Sequence, residues 1–200
     1  MKTLGTFPRE RHWENQDAMP APPASAKPTF DAAVRGELPV LYRVAKRLAN
    51  HESDAEDLVG SALLAAAKAW KDFDGRFVRS WLVQILRNEH LMLLRKRGRR
   101  PETALEEAHE PSDEGFWGAV SWSAVGESLM RELDRIPEEY RLAVVLCDVE
   151  EMAYDEAALA MGVPVGTVRS RLFRGRRLLR ARLVRCVGED YAPEGARDTE

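Results

Sequence analysis

Cysteine is scarce in this chain. There are two in 200 residues, Cys147 and Cys186, far apart and in no CxxC pair. That spacing excludes a disulfide framework and a cysteine-based zinc site. Cys147 sits in the apolar run 143–147 and reads as a small buried hydrophobe. The four histidines, His12, His51, His90 and His109, are scattered and form no ligand pattern, so no metal and no cofactor are expected. No apolar run approaches the ~18 residues of a membrane span, and the N-terminus lacks the compact apolar stretch of a secretory signal. These absences lead us to expect a cytoplasmic protein with no membrane insertion. Converging catalytic groups are missing too. Glu138 and Glu139, like Glu150 and Glu151, are neighbours on helices, so each pair splays apart. An enzyme is not expected. Strand-like alternation is also absent, which leaves an all-α chain.

The most informative stretch is 153–182. It reads as a short helix, a tight turn at Gly162, and a second helix entered at Pro164, a residue with no backbone N–H to lose at a helix start. Ala157, Ala158 and Met161 give the first helix a small apolar face, and Val163, Val168 and Leu172 give the second a face to meet it. The second helix carries Arg169, Arg171, Arg174, Arg176, Arg177, Arg180 and Arg182 without an intervening acid. A solvated amphipathic face is the plainer reading of such a helix. Like charges at this density repel by roughly 0.2–0.5 kcal/mol per i,i+4 pair, however, and a phosphate backbone would relieve that repulsion. A helix-turn-helix with an arginine-rich second helix has the geometry that enters a DNA major groove.

A formal net charge of -3 conceals segregation. Basic residues cluster at 95–100 and 169–185, and acids at 102–114 and beyond 188. Local patches, rather than the average, govern contact with DNA. The same segregation divides the chain into a proline-rich N-terminal arm (1–29), a helical domain (30–100), an acidic linker (101–124), a second helical domain containing the helix-turn-helix (125–187), and a polar tail (188–200). Phe116, Trp117 and Trp122 suggest that part of the linker docks somewhere.

Three helices are expected in the first domain. One runs from about Phe30 or Leu38 to Asn50. A second starts at Ser53, where the sequence Ser53-Asp54-Ala55-Glu56 reads as a capping box. Its stripe of Leu58, Ala62, Ala65, Ala66 and Ala69 permits close helix approach. The third, from about Arg79 to Arg97, follows a break at Gly75 and carries Trp81, which we expect in the core.

Residues 53–59, Trp70 to Phe73, 81–88 and 95–97 together resemble the first domain of the bacterial extracytoplasmic-function (ECF) sigma factors of RNA polymerase. Leu133 to Arg141, Asp148 to Glu150 and Gly162 to Leu172 resemble the second domain of that family. The two motif sets occur in the right order, over roughly 35–100 and 125–185.

The resemblance implies a sigma factor that binds core RNA polymerase and promoter DNA, recognises −35 and −10 elements, and aids strand opening. Asp54, Asp57, Leu58 and Val59 correspond to the helix that docks on the polymerase clamp. Gly60 and Ser61 replace the family's usual pair there, and Gly60 costs about 1 kcal/mol of helix propensity relative to Ala. Asn88 lies where the family holds a flipped non-template base, with Phe77 nearby, and an amide can pair with a base edge. Arg95, Lys96 and Arg97 correspond to phosphate contacts. Arg169, Ser170, Phe173 and Arg174 match positions that read the −35 element, while Tyr154, Thr167, Arg171 and Arg177 are placed for phosphates. The family's linkers run through polymerase channels that normally receive RNA. Many members are held by an anti-sigma factor, so such a partner is also expected. The rival function is a sigma-like decoy that sequesters an anti-sigma factor without binding promoters. It should lack the recognition-helix arginines, which this chain keeps. A DNA-modifying enzyme would need a catalytic constellation that the sequence does not offer.

Overall fold

A computed structural model describes residues 27–49, 51–98 and 129–187, and among these residues there is no strand. The first half contains α1 (Phe30–Leu48), α2 (Glu52–Ala69) with a 3-10 turn at Trp70–Asp72, and α3 (Val78–Lys96). The second half begins with a short helical segment, α4 (residues 129–133). It continues through α5 (Glu138–Val144), a π-helical turn at Val145–Val149, α6 (Tyr154–Met161) and α7 (Val165–Val187). The linker, the N-terminal arm up to residue 26 and the tail lie outside the described residues.

Helix α1 starts where Thr29 Oγ1 accepts a hydrogen bond from the Ala32 amide at 3.3 Å. Val40, Leu41, Val44, Ala45 and Leu48 form its buried stripe, and the helix continues through Pro39. The expected capping box at Ser53 does not form. The cap position is His51, without a side-chain bond, and the helix has begun by Glu52. The physical reason lies in α1. Glu52 turns to Tyr42 and Lys46, accepting hydrogen bonds from both at 3.0 Å, so the chain enters the helix one residue before Ser53.

The small stripe of α2 packs as expected, with Ala55, Leu58, Val59, Ala62 and Ala66 buried; Ala65 and Ala69 are only partly covered. Trp81 is a core residue. It is 5% exposed and stacked on Phe73 with ring centroids 4.2 Å apart, and Trp70 joins the cluster at 5.7 Å. Lys27 caps this aromatic group from outside, donating to the carbonyls of Trp70 and Phe73.

In the second half, Gly162 ends α6 with φ 63°, a left-handed conformation that suits glycine. Pro164 precedes α7, and its carbonyl accepts from the Thr167 and Val168 amides. Gly175 serves a different need. A Cβ there would lie 2.7 Å from Val144 Cγ2 and 2.9 Å from the Tyr140 carbonyl oxygen, so only a bare backbone lets α7 approach α5 this closely. Cys147 is free and largely buried, and burial pushes its thiol up to about 12.

The two halves share one continuous apolar core. Helix α3 packs on α6, and α1 packs on α5 and on the π-helical turn. Polar contacts border the junction. Arg43 donates to the Glu150 carboxylate from Nε at 2.7 Å and from Nη2 at 2.5 Å. Arg47 reaches both carboxylate oxygens of Asp134 at 3.0 Å, and His90 Nε2 lies 3.0 Å from Glu138.

Candidate nucleic-acid interface

The interface expected from sequence is built on α6, the turn and α7. Val168, Leu172, Gly175, Leu179 and Leu183 form the inward side of α7. At 3.6 residues per turn this places Ser170, Phe173, Arg174 and Arg177 on the opposite side. Arg169 and Arg177 are exposed, and Thr167, Ser170, Phe173 and Arg174 are partly exposed. The Arg169 guanidinium lies 5.7 Å from the centre of the Tyr154 ring, a cation–π contact that positions both at the start of the motif. Ser170 Oγ donates to the Thr167 carbonyl at 3.1 Å. Seven of the eight residues expected on this surface are therefore at least partly exposed on the motif, six of them along α7 and Tyr154 at the start of α6.

Arg171 is the exception. It turns away from that face and pairs with Glu139 of α5 at 3.2 Å, with both side chains about nine-tenths buried. In this arrangement it holds α7 to α5. Arg176 pairs with Asp148 at 2.7 Å and Arg182 with Glu132 at 3.5 Å. The repulsion expected among the seven arginines is thus offset in part by acids from α4, α5 and the π-helical turn. For Arg176, burial works against the charge, but the hydrogen bonds and charge of Asp148 leave its pKa raised. Local sequence could not show these pairs, because Glu132, Glu139 and Asp148 lie 28 to 50 positions upstream of their partners.

The second expected set lies along α3. Phe77 sits at the helix start in a left-handed conformation, φ 50°, and is partly exposed. Asn88 is exposed, as are Arg95, Lys96 and Arg97 at the far end. Asn88 and Arg95, seven residues apart, share a helix face. Eleven residues, about 16 Å of helix rise, separate Phe77 from Asn88, so they do not form one compact pocket. Arg97 instead reaches Asp54 of α2 at 3.2 Å. Its hydrogen bond and charge hold the Asp54 carboxyl below the ordinary range despite partial burial.

Of the four residues expected to meet the polymerase, Asp57 is exposed and Asp54 half-buried in that ion pair. Leu58 and Val59 are 1% and 7% exposed and belong to the α2 core stripe, so they support the acidic surface from below. Gly60 is exposed, with open space where a Cβ would project.

Comparison with known proteins gives these surfaces a context. Residues 33–100 match the Sigma-70 region 2 family and residues 126–179 the Sigma-70, region 4 family. The chain is 34% identical over 134 residues to the ECF RNA polymerase sigma-E factor of Escherichia coli (strain K12), covering 62% of this chain and 70% of that protein. The chain belongs to the ECF sigma factors. The ECF RNA polymerase sigma factor SigE of Mycolicibacterium smegmatis is 36% identical over 171 residues, 82% of this chain. The match spans 65% of that relative's own length. Among solved structures, the sigma factor RpoE of Bartonella quintana, crystallised with the anti-sigma factor NepR, superposes with a TM-score of 0.61 at 29% identity. The superposition covers 77% of this chain and 96% of that one, which is more than either half could supply alone. As ECF sigma factors are non-enzymatic initiation factors, the absence of converging catalytic groups in the sequence needs no further account. No helix among the described residues is long and apolar enough to cross a membrane, and no group of three or more His, Cys, Asp or Glu among them could hold a metal ion.

Proposed function

We propose that this chain binds core RNA polymerase in the cytoplasm and directs it to promoters carrying −35 and −10 elements. The observation that carries this reading is the outward face of α7, where Ser170, Phe173 and Arg174 stand beside Arg169 and Arg177, on a chain that also matches region 2. Arginine pairs bidentately with guanine in the major groove, at ~1–3 kcal/mol per correct base, and an aromatic edge can meet a thymine methyl. Arg177, Thr167 and Tyr154 would hold phosphates, which fix position without specifying sequence.

The domain division read from the sequence assigns residues 30–100 to the −10 element and polymerase, and residues 125–187 to the −35 element. Asn88 and Phe77 would receive the exposed base, Arg95 and Lys96 the phosphates, and Asp54 and Asp57 the clamp. Arg171 becomes available to DNA only if its pair with Glu139 opens. An anti-sigma factor is a fitting partner, because the Bartonella quintana sigma factor that superposes on both halves was captured with one.

Reconstituted run-off transcription tests the proposal. With core polymerase and a library of promoters from its own genome, the chain should yield discrete transcripts that core alone does not. A chain that binds core polymerase but supports no transcript would favour the decoy reading.

A further inference from the structure

We propose that Lys27 is a positioning residue for strand opening. It straps the segment ahead of α1 to the loop between α2 and α3, and so fixes how Phe77 is presented to the promoter. The inference rests on the promoter reading of Phe77 and adds a residue outside the region 2 match, which begins at residue 33.

The strap begins in the local sequence Lys27-Pro28-Thr29. A residue before proline is held to extended backbone, and Thr29 caps α1. The backbone that carries Lys27 is therefore restrained on its helix side. From there the side chain meets the loop at Trp70, Phe73 and Gly75. The ammonium donates to the Trp70 carbonyl, and to the Phe73 carbonyl at 2.7 Å. Both carbonyls lie where α2 and its 3-10 turn end, and the partial negative charge of a helix C-terminus favours a cation. The ammonium also lies 4.8 Å from the centre of the Trp70 ring and 5.9 Å from that of Phe73. Its stem runs against Gly75, where a Cβ would be 3.1 Å from Lys27 Cγ and 3.3 Å from Lys27 Cβ. A side chain at 75 would crowd the strap.

What the loop presents is a backbone outlier. Two residues beyond Gly75, the partly exposed Phe77 is left-handed, at φ 50° and ψ 49°. That conformation is unfavourable for a bulky residue. It persists only where its surroundings over-determine it, and such outliers cluster where a side chain is presented for function. On one side α3 fixes Phe77, whose carbonyl accepts from the Trp81 amide at 3.0 Å. On the other, the Asp74 carboxylate accepts from the Arg76 amide at 2.8 Å, a bond internal to the loop. Lys27 ties that part of the loop to the segment ahead of α1. Lys27 is itself exposed, and the rings of Trp70, Phe73 and Trp81 pack on one another without it. Loss of the ammonium should release the loop and spare the domain.

The test uses the full chain and two readouts. A fluorinated phenylalanine at position 77 reports on the loop in the free protein by fluorine NMR. Opening by the holoenzyme is followed with a fluorescent base analogue in the non-template strand of the −10 element, on a promoter that yields run-off transcripts. In Lys27→Met, which keeps the stem and removes the donors, the fluorine resonance should shift or split, and the opened fraction should fall several-fold. Melting temperature, affinity for core polymerase and −35 binding should stay unchanged. Lys27→Arg, which keeps a cation and donors, should restore both signals. In a Phe77→Ala background, Lys27→Met should cost nothing further, because it acts through Phe77. An unmoved fluorine resonance in Lys27→Met would overturn the strap. An unchanged opened fraction would overturn its role in opening. So would a loss that adds in full to that of Phe77→Ala, which would make Lys27 a DNA contact in its own right. If the unaltered chain opens no promoter, the promoter reading fails, and the fluorine spectra still decide the strap.

Discussion

Replacing Arg43 by alanine should loosen the two halves of this sigma factor from each other. The Glu150 carboxylate is 2% exposed and is held by two hydrogen bonds from Arg43, at 2.7 and 2.5 Å. Arg79 reaches only the Glu150 backbone carbonyl, at 3.4 Å, and cannot replace them. Removing one partner of a buried pair typically costs about 3–5 kcal/mol. Arg43 is itself 53% exposed, so solvent screens part of its attraction, and about 2–3 kcal/mol is the better expectation. The stranded carboxylate regains water if the halves part, so this cost falls on the closed arrangement and spares the fold of each half. At 1.4 kcal/mol per factor of ten, the closed-to-open ratio should drop about 30- to 150-fold. Arg47→Ala should do much less, because its partner Asp134 is 46% exposed and stays hydrated when the arginine is lost. Small-angle scattering would report the opening as an increased radius of gyration. If core polymerase takes only the open form, its apparent affinity should rise where the closed state still dominates, since binding to a minor open state is diluted by its population. If Arg43→Ala changes neither quantity while circular dichroism shows intact helices, the ion pair does not hold the closure, and the apolar packing of α3 on α6 does.

Within the second half, Arg174→Ala should cost about 1–3 kcal/mol on the preferred −35 sequence and relax discrimination at one or two base pairs, whereas Arg177→Ala should weaken binding to all sequences alike and flatten the salt dependence by roughly one unit of slope. Holoenzyme binding to −35 variants checks this, and equal losses across all variants would make Arg174 a phosphate anchor. Gly175→Ala should lower the melting temperature by a few degrees, since overpacking costs about 1–3 kcal/mol and helix propensity returns at most about 1; a higher melting temperature would show that α7 and α5 can part without penalty. Asp57→Arg, on an exposed acid of α2, should weaken binding to core polymerase and leave thermal stability unchanged, and unaltered affinity would remove Asp57 from the contact. The junction should also weaken in acid. Burial works to raise the Glu138 carboxyl, but the hydrogen bond and charge of His90, with Arg141 and Arg87, leave it below its ordinary 4.5. A depressed carboxyl stabilises the fold above its unfolded pKa and loses that contribution as pH falls through the lower folded value. Urea titrations should therefore show a Glu138-dependent loss below about pH 4.5 that is absent in Glu138→Gln; the same loss in both proteins would place it elsewhere.

The helices and the recognition turn were legible in the sequence because each is governed by local chemistry. The apolar stripe of α2, the left-handed glycine at 162, the proline before α7 and the core position of Trp81 are all present as read. The start of α2 was not, although Ser53 and Glu56 have the right spacing for a cap. Glu52 has partners on α1, and a tertiary contact outweighed a local signal. The same limit applies to the arginines of α7. Their number and helical spacing are sequence facts, but Arg169 and Arg177 became surface while Arg171 became a partner of Glu139 only because α5 packs across that side of the helix. Leu58 and Val59 likewise sit in the motif expected to face polymerase, yet both are buried in the core. By itself the sequence determined two sets of helices, their apolar faces and the basic character of the recognition helix, since propensity, periodicity and charge are properties of neighbouring residues. Only the tertiary structure decided which charges are paired and that the two halves share a core, because those outcomes rest on residues brought together from 28 to 107 positions apart.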